Sequence, residues 1–161
     1  MGRATYKNAE ASALVKEMSA RIDAVATQLA DATTTPKVYY ELWYDPYMTA
    51  GPDTFIDEVI TLAGGENIFN DATESWPSVS SETIIAKNPD VIIFGDSYMS
   101  GSVSATKDSI SSRSGWNVIS AVQNDALYSI SDDIINRNGP RVVDAIEAIA
   151  QMCHPDIFGE P

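Results

Sequence analysis

The sequence predicts an α/β fold: a three-layer, doubly wound, mainly parallel sheet with flanking helices. Three observations carry that expectation. Val91-Ile92-Ile93-Phe94 and Ala126-Leu127-Tyr128-Ser129-Ile130 are short strand-forming runs, the first wholly apolar, as strands buried on both faces are. Such runs alternate along the chain with helix signals, which is the order of a parallel sheet. Polar or small-residue loops follow the strand runs, so these loops gather at one sheet edge, outside the carboxyl ends of the strands.

From Ala9 to Ala32 the pattern is helical. Leu14, Met18, Ile22, Val25 and Leu29 form one apolar stripe, and Lys16, Glu17, Asp23 and Gln28 lie opposite. Thr33-Thr34-Thr35-Pro36 ends the helix. Roughly 24 residues at 1.5 Å each make it about 36 Å long, more than a small domain needs for its own core. Lys37 to Tyr44 is rich in strand formers. A loop from Asp45 to Pro52 leads to a helix capped by Asp53 or Thr54 and running to Ala63, where Gly64-Gly65 stops it.

Trp76-Pro77 places a large aromatic in an extended segment, because proline disfavours helix in the residue before it. Ser80 caps a helix to about Asn88, with Glu82 in the first turn, and Asn88-Pro89-Asp90 breaks it before the Val91 strand. Gly95 to Ser102 is a loop, Ala105 to Ser112 a short helix, Gly115-Trp116 a turn whose indole packs, and Val118 to Gln123 a further short helix. After the strand ending at Ile130, Asp132 to Gly139 is the last strand-to-helix loop. Pro140 suits the first turn of a final helix, Arg141 to Cys153, with Val142, Ile146, Ile149 and Met152 on its apolar face.

The chain has 161 residues, 44% hydrophobic and 9% aromatic, which describes a folded domain with a sizeable core. Its 10 basic and 23 acidic residues leave a net charge of −13, and no Lys/Arg patch to meet phosphates, so nucleic acid is excluded as a partner. The acidity suits solubility, a salty habitat or a basic partner surface. No run approaches the roughly 18 apolar residues of a membrane span, and Met1-Gly2-Arg3 leads into a polar helix instead of a signal peptide. A single cysteine, Cys153, allows no internal disulfide and reads as a buried thiol. One histidine, His154, lies far along the chain from most of the loops. Neither Ser/His/Asp nor Cys/His catalysis finds its constellation, no zinc ligand set exists, and no glycine-rich phosphate loop follows a strand. Neither an enzyme nor a cofactor is expected.

Four marks, in order, resemble the C-terminal lobe of the class III periplasmic substrate-binding proteins, which bind vitamin B12, iron-siderophores and haem for ABC importers. They are Gly64-Gly65-Glu66-Asn67-Ile68-Phe69; Trp76-Pro77-x-Val79-Ser80-x-Glu82; Asn88-Pro89-Asp90-Val91-Ile92; and Arg137-Asn138-Gly139-Pro140-Arg141, with His154-Pro155-Asp156-Ile157-Phe158 after the last helix. The resemblance implies that residues 1–35 are part of a long inter-lobe helix, that residues 36–161 are the C-terminal lobe, and that the N-terminal lobe is absent. It implies an extracytoplasmic protein, membrane-anchored in its full-length parent, with the export signal upstream. Its partners would be a small metal chelate (corrinoid, ferric siderophore or haem), the permease subunits of the importer and the other lobe.

On this reading the site is a concave aromatic surface with one cation, suited to a flat ligand with polar or anionic fringes. The contributors are Trp43, Tyr44 and Tyr47 from the first loop, Tyr98 from the second, Arg137 from the third and Trp76 from its own loop. One of Trp43 and Tyr44 is expected in the core, because strand side chains alternate faces. Trp76 could be a core residue, although the proline after it and the flanking serines favour an exposed loop, and Arg137 could be a surface arginine or a brace for loop carbonyls. The resemblance implies ligand stacking at Trp76 and ligand binding at Arg137. Glu82 is explained by its helix start alone; the resemblance implies that it docks onto permease arginines, on the outer surface and away from the aromatic loops. The alternative function is an acidic protein-docking module with no small ligand of its own.

Overall fold

The computed structural model describes residues 7–96, 105–136 and 139–161. Its core is a four-stranded parallel sheet of β1 (Lys37–Glu41), β2 (Glu66–Asn67), β3 (Val91–Gly95) and β4 (Leu127–Ile130), in the order β2-β1-β3-β4. The chain leaves β1 towards one edge and β3 towards the other, so the connections diverge between these two neighbours. The crevice outside their carboxyl ends is where open α/β sheets hold ligands.

Strand alternation divides the core into two layers. Val38, Tyr40, Val91 and Ile93 face α1 (Asn8–Leu29), α2 (Phe55–Leu62), α6 (Asp132–Ile135) and α7 (Val142–Cys153). Tyr39, Ile92 and Phe94 face α3 (Ser81–Lys87), α4 (Lys107–Ser111), a 3-10 turn at Trp116–Val118 and α5 (Ser120–Gln123). Burying each Ile or Val of these layers is worth about 1.5–3 kcal/mol relative to leaving it in water. A short helix, α8 (Pro155–Phe158), follows α7.

The helix starts and stops are local chemistry. Thr54 and Ser80 accept hydrogen bonds from the backbone N–H groups of Asp57 and Thr83, capping α2 and α3. Gly64, at a φ of 82°, ends the α2 turn, and the His154 side chain contacts its carbonyl, 3.1 Å away. Cys153 is buried as expected, and burial pushes its thiol up to about 12.

Several expectations are corrected. β1 stops at Glu41 instead of Tyr44, because Leu42 and Trp43 turn back to pair with Met48. Glu66–Asn67 is a strand, although two polar residues give no apolar run. Asp132–Ile135, expected within a loop, is helical, capped by the Ser131 hydroxyl. The stripe of α1 packs only in its second half: Val25 is buried and Ile22 and Leu29 join the core, while Leu14 is 40% exposed. Arg21 fastens α1 to α7 through Glu147 and Asp144, at 2.6–2.9 Å.

Candidate ligand-binding site

The first loop turns tightly after β1. Trp43 and Met48 bond to each other in an antiparallel bridge, and the Trp43 indole N–H donates to the Asp45 carbonyl at 3.0 Å. The Trp76 loop then lies alongside. Met48 bridges to Ser78, the Val79 N–H donates to the Tyr47 carbonyl (2.9 Å), the Thr49 N–H to Pro77 (3.2 Å), and the Gly51 N–H to Ser75 (2.8 Å). Gly51 permits this approach, since a Cβ there would sit 2.2 Å from the Glu74 carbonyl oxygen. The two aromatic loops therefore form one zipped unit beside the end of β1.

Tyr44 and Trp76 are exposed at 43% and 45%, and Tyr47 and Trp43 are half-buried. The expectation that Trp43 or Tyr44 enters the core is not met, because the strand and its alternation end before them. Trp76 is not a core residue. Tyr44 meets Tyr47 edge to face, with centroids 5.3 Å apart, and Tyr47 stacks on Trp116 at 5.7 Å. Trp116 is fully buried, as its packing role requires, touches Tyr39 edge to face at 6.2 Å, and donates its indole N–H to the Ser81 hydroxyl at 2.7 Å.

Beneath these rings lies a cation that sequence reasoning missed. Arg113, just after α4, grips Glu41 with both terminal nitrogens: Nη2 donates to Oε1 at 2.8 Å and Nη1 to Oε2. The side chains are 7% and 1% exposed. Burial opposes the charge on Arg113, but the hydrogen bonds and field of Glu41 outweigh it, and the pKa of the guanidinium is raised. Burial also pushes the Tyr47 hydroxyl up, with Arg113 pulling the other way. The guanidinium carbon lies 4.5 Å from the ring centroids of Tyr44 and Trp116 and 5.4 Å from that of Tyr47. The only hint of this in the sequence is an acidic residue inside the apolar run Val38-Tyr39-Tyr40-Glu41-Leu42.

The ends of β3 and β4 make a polar second side. The Asp132 N–H donates to Asp96 at 3.0 Å, and the Asn136 amide to Asp132 at 2.9 Å. Tyr98 and Arg137 lie outside the described residues. Glu82 is exposed in the first turn of α3, where its own backbone N–H and the Ser80 hydroxyl lower its pKa. Its neighbour Ser81 touches Trp116, so the helix start that carries it borders the aromatic cluster. Among the described residues no group of His, Cys, Asp or Glu side chains could hold a metal ion, and no helix is long and apolar enough to cross a membrane.

Exposed aromatic rings are thus zipped together at the carboxyl edge of a parallel sheet. The chain belongs to the periplasmic binding protein family, whose model matches residues 1–134. It is similar to a cobalamin-binding protein of Halobacterium salinarum, 36% identical over 96% of this chain and 42% of the relative. An uncharacterized ABC transporter substrate-binding lipoprotein of Bacillus subtilis is 29% identical over 99% of this chain and 49% of its own length. Among solved structures, the periplasmic vitamin B12-binding protein of Vibrio cholerae superimposes with a TM-score of 0.67 at 29% identity, over 84% of this chain and 50% of the other. The chain thus spans about half the length of the curated relatives it matches.

Proposed function

We propose that this chain is the C-terminal ligand-binding lobe of an ABC-importer solute-binding protein, and that its cargo is a corrinoid or a similarly flat metal chelate. The observation that carries the reading is the zipped pair of loops presenting Tyr44 and Trp76 to solvent at the carboxyl edge of β1. Exposed rings on a rigid sheet edge suit a large, partly apolar ligand. Tyr47 and Trp43 frame them, and Tyr98 and Arg137 are the sequence's candidates for the remaining contacts. The cobalamin and vitamin B12 relatives favour the corrinoid over an acidic docking module. The lipoprotein and periplasmic relatives support an extracytoplasmic protein that is membrane-anchored in its full-length form. Recognition is by contact, without bond making.

A second lobe supplies the opposite wall of the cleft, so this lobe binds weakly alone. If half of a nanomolar interaction, about −12 kcal/mol, belongs to each lobe, the remaining share corresponds to a Kd on the order of tens of micromolar. The test is calorimetric titration of the chain with cyanocobalamin, a ferric hydroxamate and haemin. Saturable binding of cyanocobalamin in that range is expected, and binding of none of the three contradicts the reading. Glu82 is proposed to dock onto the permease. One exposed ion pair is worth about 0.2–1 kcal/mol, so Glu82→Lys acts strongly only together with loss of the other lobe's acidic partner. Unchanged complex formation in that double variant would remove the role.

A further inference from the structure

We infer that Arg113 is the positioning residue of this aromatic site: clamped by Glu41, it fixes the Tyr44 and Tyr47 rings and presets the platform that meets the ligand. The inference rests on the binding reading above and deepens it.

Glu41 ends β1 on the same face as Tyr39, its side chain is 1% exposed, and Arg113 is its bidentate partner. Taking both charges out of water is expensive, and a bidentate pair roughly offsets the cost without adding much stability. Two apolar side chains of similar volume would join the strand end to the segment after α4 at least as well. What they could not supply is a flat cation. The guanidinium faces Tyr44, Tyr47 and Trp116 within 5.4 Å of each ring centroid. Its buried Nε has no hydrogen-bond acceptor among the described residues, and ring faces are the electron-rich surfaces near it.

This matters most for Tyr44. It lies beyond the end of the strand and is 43% exposed, so packing holds it on one side only. Its ring is fixed by the edge of Tyr47 and by Arg113. A ring ordered only when the ligand arrives costs roughly two- to tenfold in affinity, and two rings depend on this cation. Arg113 is too buried to reach a ligand, so it acts through the rings it holds.

The test compares the wild-type chain with the double variant Glu41→Leu/Arg113→Met and with Arg113→Lys. Three readouts are taken: cyanocobalamin affinity, thermal midpoint, and near-ultraviolet circular dichroism of the ligand-free protein. The double variant is expected to fold with a midpoint close to wild type, to bind roughly four- to a hundredfold more weakly, and to lose aromatic dichroism. Arg113→Lys keeps the charge but loses the fork, and is expected to fall between the two. A merely structural pair would leave both the affinity and the aromatic dichroism of the folded protein alone. If the double variant does not fold, Arg113→Lys decides by the same criterion. Folded variants binding within twofold of wild type, with aromatic dichroism intact, overturn the positioning role only. Failure of the wild type to bind any chelate overturns the binding reading and this role with it.

Discussion

Arg21 and Arg113 each set a guanidinium fork on carboxylates from a distant element, yet their surroundings differ in almost every respect. Arg21 joins α1 to α7 in the open, with side chains 37–42% exposed, and its pKa is raised chiefly by the hydrogen bonds to Glu147 and Asp144. Arg113 joins the segment after α4 to β1 in the interior, and three aromatic rings close over it. Water and salt compete for the first contact and hardly reach the second. The buried Arg113 meets three rings, two of them proposed to meet the ligand.

The two arginines separate most clearly when each is removed. Arg113→Ala leaves the Glu41 carboxylate buried without its partner and should cost about 3–5 kcal/mol in denaturant unfolding. A loss under about 1 kcal/mol would mean that Glu41 finds water and that the site is looser than described. Next in size is Trp76→Ala, which should leave unfolding stability within about 0.5 kcal/mol, because the ring is exposed. It should weaken cyanocobalamin binding by about 1–3 kcal/mol, the range for losing the burial of an aromatic ring against a ligand. The reverse pattern would place Trp76 in the fold and outside the site. Arg21→Ala should have the smallest effect, about 0.2–1 kcal/mol per pair, fading as salt is raised. A salt-insensitive loss as large as that of Arg113 would erase the distinction.

What the sequence discloses follows the range of the forces involved. The capped helices were legible because Thr54 and Ser80 bond only three residues ahead. β3 was legible because its apolar run is continuous. The Trp76 loop was legible because proline restricts the residue before it. β2 was not, since its two residues become a strand only by pairing with Lys37 and Val38. The Glu41–Arg113 pair was not, because 72 residues separate partners whose meeting depends on the whole sheet. The loop after β1 was legible, but the end of the strand at Glu41 was not. Strand propensity runs on through Trp43 and Tyr44, but the pairing of Trp43 with Met48 overrides it. The sequence therefore names the rings but not what aligns them.

A site at the end of β1 is tested most directly by the indole N–H resonances of Trp43, Trp76 and Trp116 in a two-dimensional NMR titration with cyanocobalamin. Their surroundings differ: one donates to the Asp45 carbonyl, one belongs to a side chain exposed at the rim, and one donates to Ser81 from the interior. The Trp76 resonance is expected to move most and to saturate with the calorimetric Kd, Trp43 to respond less, and Trp116 to move least. A titration in which Trp76 stays fixed while the ligand demonstrably binds would contradict a site at the end of β1.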